Sequence, residues 1–204
     1  MSALTMSPAK RWWLGAALIG SAILTVIGAA SLVVYMGAYD IAADSPHSQA
    51  VFWFMTTIRE RSVAAGAKGI VAPPNLTDPK RIASGTAQYE EMCRGCHLAP
   101  GMKKTEISQG LYPRAPELRR GSSLSPAEEF WVVKHGLKMT GMPAWGVTHN
   151  DEILWDIVAF LRKMPALTAD QYQALVKSAS KTHDEMMRGM EMGMDHGDGG
   201  QSQH

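Results

Sequence analysis

The two cysteines constrain this chain more than any other feature, because they are the only two in 204 residues and stand three positions apart, as Cys93 and Cys96. A disulfide across so short a loop could not hold a fold together, so the pair is expected to serve local chemistry. His97 follows directly and completes the Cys-x-x-Cys-His pattern typical of covalent haem attachment. The sequence therefore predicts one covalently bound haem c.

The geometry of a helix explains how this motif could work. If the segment is helical, the thiols of Cys93 and Cys96 lie one turn apart, where each can bond one vinyl-derived carbon while His97 points at the iron. Three alternatives compete with this interpretation. A zinc knuckle would need a second pair of ligands at matching spacing, a thioredoxin-like dithiol would need a βαβ setting, and an inert disulfide would need nothing else.

A haem held by one histidine needs a second axial ligand, and Met142 in the run Gly-Met-Pro-Ala-Trp is the best candidate. Pro143 biases the preceding residue toward an extended backbone, which would keep the Met142 thioether on a loop between two helices. Met139, His135 and His149 stay open as alternatives. Histidine and methionine ligation leaves no open coordination position, so it favours electron transfer over oxygen or peroxide chemistry.

An uncharged run of 27 residues, 12–38, lies near the N-terminus. At ~1.5 Å rise per residue, a helix of that length exceeds a hydrocarbon core of roughly 30 Å. Lys10 and Arg11 precede the run, which favours a cytoplasmic N-terminus, and Trp and Tyr residues flank it at both ends. We expect a retained transmembrane anchor, with a cleaved signal peptide as the alternative; either one exports the remainder of the chain.

A short helix is predicted after the anchor, with Ser45 and Pro46 as its cap and first turn and His47 to Arg61 as its body. Its apolar surface is wide for a linker, so we expect it on the bilayer interface or packed on the soluble domain, with a plain amphipathic connector as the alternative. Glycines and prolines between 66 and 79 then mark a domain boundary.

The remaining pattern is helical, with no alternating strand signal. A first helix runs from Lys80 to Cys93, and a second begins at the capping box of Ser125 and ends at Gly136. A third begins near Thr148 or Asn150 and is stopped by Pro165, and a fourth begins at the capping box of Thr168. The predicted fold class is all-α.

Residues 78–167 resemble the class I c-type cytochromes. Gly85 and Tyr89 stand where that family places a Gly and an aromatic residue on its first helix, and Ile157 and Phe160 stand where the last helix crosses it. The resemblance implies a small cytochrome c-like helical domain, here preceded by a transmembrane helix.

Further site residues follow from the same resemblance. Pro116-Glu117-Leu118 is similar to the family's Pro-x-Leu segment, in which the Pro carbonyl accepts a hydrogen bond from the haem-ligating histidine, here His97; Pro113 could replace Pro116. Trp145 and Trp131 are expected to pack against the haem, although core filling explains them as well.

Five segments are therefore predicted. They are a cytoplasmic N-terminus (1–11), a transmembrane anchor (12–39), a linker with a short amphipathic helix (40–79), a cytochrome c domain (80–178) and a disordered Met- and His-rich tail (179–204).

The tail offers soft metal ligands. Thioether and imidazole donors suit Cu(I) and, with histidine, Cu(II), so copper binding is a hypothesis for it; a solubilising extension with no metal is the alternative. The candidate copper ligands are His183, Met186, Met187, Met190, Met192, Met194 and His196.

Charge and composition limit the function further. A formal net charge of +1 gives no strong field toward nucleic acid, which we exclude as a partner. We predict an electron carrier rather than an enzyme, anchored by one span in the cytoplasmic membrane with its soluble domain on the periplasmic side. Its partners would be the bilayer, a dehydrogenase or reductase donor, and an oxidase or reductase acceptor. A subunit of a membrane oxidoreductase complex, an electron-transfer protein coupled to copper handling, and a haem enzyme or gas sensor are the alternatives.

Overall fold

A computed structural model describes residues 7–179, and this part of the chain contains helices and no strand. The predicted all-α fold is thereby confirmed. Residues 7–179 form eight α-helices: α1 (Pro8–Tyr35), α2 (Gln49–Gly66), α3 (Pro79–Met92), α4 (Arg94–His97), α5 (Glu106–Gly110), α6 (Pro126–His135), α7 (Asp151–Lys163) and α8 (Ala169–Ser178). Three short 3₁₀ helices are Leu118–Arg120, Trp145–Val147 and Met164–Ala166. The candidate copper ligands lie outside the described residues.

Helix α1 forms a unit by itself, because the chain divides into two compact units between Ser45 and Pro46. Its segment Ala9–Tyr35 has a mean hydropathy of 2.3 and is long and apolar enough to cross a membrane. The large apolar side chains of this segment are exposed, as they would be if lipid surrounded them.

Helix α2 begins three residues later than the sequence suggested. Ser48, not Ser45, caps it, since the Ser48 hydroxyl accepts a hydrogen bond from the Val51 N–H at 3.4 Å. One face of α2 packs on the rest of the unit that begins at Pro46, where Val63 is buried, and the large apolar side chains on its other side are exposed. Gly66 lies so close to helix α6 that a Cβ atom there would stand 2.4 Å from the Trp131 indole.

Helices α3 and α7 cross at the centre of the second unit, which begins at Pro46. A Cβ atom on Gly85 would lie 1.9 Å from the Asp156 carbonyl oxygen, so the crossing requires glycine. Tyr89 and Phe160 pack beside it with ring centroids 5.2 Å apart. Arg81 of α3 forms a 2.7 Å ion pair with Asp156 of α7, which also joins the two helices. The crossing predicted from the sequence is confirmed.

The capping boxes also occur as predicted. Ser125 and Glu128 bond each other's backbone N–H groups at the start of α6, and Thr168 and Gln171 do the same for α8. Helix α5 was not predicted, although Thr105 forms a similar box with Ser108. A helix of five residues is too short to give a periodic signal.

Candidate cofactor site

A cavity of about 520 Å³ opens in the unit that begins at Pro46, within the size range of cofactor pockets. Most of its wall is apolar, as a porphyrin ring requires. Its aliphatic and proline side chains are Val63, Leu111, Pro113, Pro116, Leu118, Leu124, Val132, Val133, Leu137 and Leu161.

The Cys-x-x-Cys-His motif lies at the junction of α3 and α4. Cys93 ends α3, and its carbonyl accepts hydrogen bonds from the N–H groups of Cys96, at 3.2 Å, and His97, at 2.9 Å. Cys96 lines the cavity, whereas Cys93 is buried behind this wall in the hydrophobic core. Burial, and secondarily the nearby Cys96, raises the pKa of the Cys93 thiol to about 12.

The His97 side chain is held in one orientation. Its Nδ1 donates a hydrogen bond to the Pro116 carbonyl at 2.9 Å, and since a carbonyl can only accept, Nδ1 carries the proton. Nε2 is then left with a lone pair that can ligate a metal. Burial lowers the pKa of His97, against the opposing effect of this hydrogen bond, so the neutral imidazole is favoured. Pro116, rather than Pro113, makes the contact.

The residue after His97 fixes the exit from the motif. Leu98 has a φ of 61°, in the left-handed region that side chains disfavour, and it is almost fully buried. Its carbonyl accepts a hydrogen bond from the buried Tyr89 hydroxyl. The α3 and α7 core, which includes Tyr89, thus holds the backbone next to His97 in place.

Met142 reaches the same cavity from the loop after α6. Its N–H donates to the Thr140 hydroxyl and its carbonyl accepts from the Leu137 N–H, each at 3.1 Å. Gly136, with a φ of 63°, permits this loop to fold back, since a Cβ atom there would lie 2.7 Å from the Met142 carbonyl oxygen. Met139 instead is 85% exposed and points away from the core.

The other candidates do not line the cavity. Trp145 belongs to a 3₁₀ turn, where its ring meets that of His149 edge to face at 5.7 Å. His149 is buried and bonds the Trp145 carbonyl through Nδ1 at 3.2 Å. Trp131 packs beside His135, with ring centroids 5.0 Å apart. Among the described residues that line the cavity, His97 is the one histidine and Met142 the one methionine.

Four charged residues of the wall were not predicted from the sequence: Arg59, Glu60, Arg114 and Glu129. Arg59 comes from α2, and Glu129 comes from α6, where it is 4% exposed. Glu129 Oε1 lies 3.4 Å from the Arg162 guanidinium, and its Oε2 has no hydrogen-bond partner among residues 7–179. Burial raises the pKa of Glu129, against the lowering effect of Arg162. Neither Arg59 nor Glu129 belongs to a motif, and only the packing of α2 and α6 places both on the wall of one cavity.

These residues fit a covalently bound haem. The cavity supplies an imidazole nitrogen and a thioether sulfur, the axial donors of electron-transfer haems, and a mostly apolar wall with a cysteine beside the histidine. The fold and the site together define a class I c-type cytochrome domain.

Comparison with protein families gives the same class. Residues 80–161 match the family model described as cytochrome C oxidase, cbb3-type, subunit III. The match covers less than half of the chain and extends from α3 into α7. Neither a curated protein nor a solved structure gives a match. Residues 80–161 are therefore a cytochrome c domain, which supports a haem c electron-transfer protein, and the chain also has an N-terminal apolar helix that could span a membrane.

Proposed function

We propose that this protein carries electrons one at a time on the periplasmic side of the cytoplasmic membrane, using a single haem c. Cys93 and Cys96 would bind the haem covalently, and His97 and Met142 would hold its iron. The observation that supports this best is that His97 and Met142 line the same cavity. When bound, haem c supplies an iron that alternates between the ferrous and ferric states.

The protein's own residues orient the ligands and exclude water. The Pro116 carbonyl fixes the protonated nitrogen of His97, which directs the other nitrogen toward the iron. The hydrogen bonds of Met142 to Thr140 and Leu137 hold the thioether loop. Ligands that are fixed in an apolar wall change little in geometry when the iron gains or loses an electron, and this suits rapid electron transfer.

The proposed topology follows from charge and from the type of domain. Lys10 and Arg11 lie in the first turn of α1, just before its apolar run, which favours a cytoplasmic N-terminus and a soluble domain on the other side. A c-type cytochrome domain also implies a haem outside the cytoplasm. We infer one span, in the cytoplasmic membrane.

A reductive titration of the detergent-solubilised protein tests the function. We expect one electron per chain and no rapid binding of carbon monoxide by the reduced protein at neutral pH, because both axial positions are filled. Fast carbon monoxide binding would instead favour a haem enzyme or a gas sensor.

A second candidate is a cytochrome subunit of a membrane oxidoreductase complex. The matching family model is described as a subunit of a cbb3-type oxidase, which favours this possibility. Extraction in mild detergent followed by size analysis distinguishes the two. A subunit co-purifies with partners in fixed stoichiometry, whereas an independent carrier elutes alone.

Copper binding by the C-terminal tail is a separate proposal that rests only on its thioether and imidazole donors. Titrating Cu(I) or Ag(I) into a synthetic peptide of residues 182–204 tests it. Affinity no better than about millimolar would end the idea.

A further inference from the structure

Helix α2 lies outside the matched segment 80–161, yet it forms part of the cavity wall. Arg59, Glu60 and Val63 all line the cavity. Val63 is 4% exposed, so this side of the helix is a packed face rather than a free surface. The cofactor site therefore extends beyond the cytochrome domain into the segment that precedes it.

Contacts before α2 and at its end hold it against the cavity. Just before it, the His47 N–H donates to the Tyr112 hydroxyl at 3.0 Å, and the two rings meet edge to face at 5.1 Å. Tyr112 lies between Leu111 and Pro113, which both line the cavity. At the other end, Gly66 packs on the Trp131 indole. Arg59 is held between these two contacts.

No carboxylate pairs with Arg59 within the described residues, although Glu60 and Glu129 also line the cavity. Arg59 forms no ion pair and no side-chain hydrogen bond with any described residue, although it is half-buried. Several other arginines do pair with carboxylates, as Arg81 does with Asp156 and Arg119 with Glu117. A half-buried guanidinium without an anion is costly, so the wall at Arg59 is suited to an anionic occupant.

The chemistry of haem supplies such an anion, because its two propionate side chains are carboxylates. A guanidinium binds a carboxylate through two parallel hydrogen bonds, more strongly than a single neutral contact. Arg114 also lines the cavity, but it is exposed, and ion pairs in water contribute little. Among the arginines of the wall, Arg59 is thus the better placed partner.

We propose that helix α2 is part of the haem site and that Arg59 pairs with a propionate carboxylate of the bound haem. This inference rests on the proposed function, since it requires a haem in the cavity. It makes the segment between the apolar helix and the cytochrome domain a part of the redox centre. Loss of the Arg59 charge should stabilise the ferric state, which carries one more positive charge than the ferrous state.

The midpoint potential of the haem-loaded, detergent-solubilised full chain tests the proposal. R59Q should lower it, so that the ratio of ferrous to ferric haem at a fixed ambient potential falls roughly three- to tenfold. Arg61 is an exposed arginine on the same helix that does not line the cavity, so R61Q is the matched control and should leave the ratio unchanged. If R59Q leaves the ratio of ferrous to ferric haem unchanged, or lowers it no more than R61Q does, the proposal is overturned.

If R59Q does not accumulate with haem, a second measurement tests whether Arg59 pairs with a propionate. R59K keeps the charge and loses the planar fork, so the carboxylate stretch of ¹³C-labelled propionates should shift in reduced-minus-oxidised infrared spectra. An unshifted band contradicts the pairing. If the wild type binds no haem, the proposed function fails. If the wild type binds a haem that is reduced and reoxidised reversibly, and substitution of Arg59 does not change its midpoint potential, only this inference fails.

Discussion

The proposed ligands are two residues that lie far apart in the chain and meet at one cavity. His97 follows from a local pattern of five residues, and its orientation by Pro116 depends on one hydrogen bond of 2.9 Å. Met142 could not be separated from Met139 by spacing alone. The fold distinguishes them physically, because Met142 lines the cavity and Met139 is 85% exposed.

Replacing Met142 with Ala should lower the midpoint potential, on the order of 0.1 V, and open the iron to added ligands, because the thioether favours the ferrous state. Potentiometry with and without imidazole or carbon monoxide measures both effects. Met139→Ala is the control and should change neither. If the effects of the two substitutions are exchanged, Met139 is the ligand.

Glu129 gives a prediction on pH. Burial raises the pKa of Glu129 in the folded protein, so its ionisation costs stability as the pH rises above the ordinary carboxyl range. Glu129→Gln cannot ionise, so the melting temperature of this variant should rise relative to that of the wild type as the pH rises above the ordinary carboxyl range.

Glu117 serves as the control for this prediction, with the opposite sign. Its hydrogen bond to Arg119 lowers the pKa of Glu117, so the carboxylate contributes stability above that range and loses it as the pH falls. Glu117→Gln should therefore lose stability relative to the wild type as the pH rises. A Glu129→Gln curve parallel to that of the wild type would mean that Glu129 is not held in an unfavourable ionised state.

At the scale of secondary structure, the helices were predictable where a local signal defined them. Ser125 and Thr168 cap α6 and α8 as the sequence predicted, because a capping box is contained within four residues. The place of α2 was not predictable, since its contact with α6 depends on Gly66 meeting Trp131 across the fold. Arg59 was missed for the same reason. Long-range packing, not local pattern, decides which residues complete the cavity wall.

The crossing of α3 and α7 gives the clearest test at this scale. Gly85→Ala should destabilise the haem-loaded protein by about 2–4 kcal/mol, because the new Cβ atom would stand 1.9 Å from the Asp156 carbonyl oxygen. Gly110→Ala is the control, since Gly110 lies outside the haem-binding motif and no heavy atom lies within 4 Å of a Cβ there. Thermal unfolding measures both. Equal losses for the two variants would mean that the helices do not cross at Gly85.

At the scale of the whole molecule, the division between Ser45 and Pro46 separates an apolar helix from the redox unit. A variant that begins at Pro46 should remain in solution without detergent and keep the spectrum and midpoint potential of the full chain. Absorption spectroscopy and potentiometry of the two proteins check this. A loss of haem or a changed potential would show that residues 1–45 contribute to the redox site.

The central claim is that one haem is bound through two thioether links at Cys93 and Cys96. The pyridine haemochrome spectrum of the purified protein, with the haem content per chain, tests it most directly. The account predicts one haem per chain with the spectrum of a doubly linked haem c, and both thiols resistant to alkylation. A folded, colourless protein whose two cysteines react freely would contradict it.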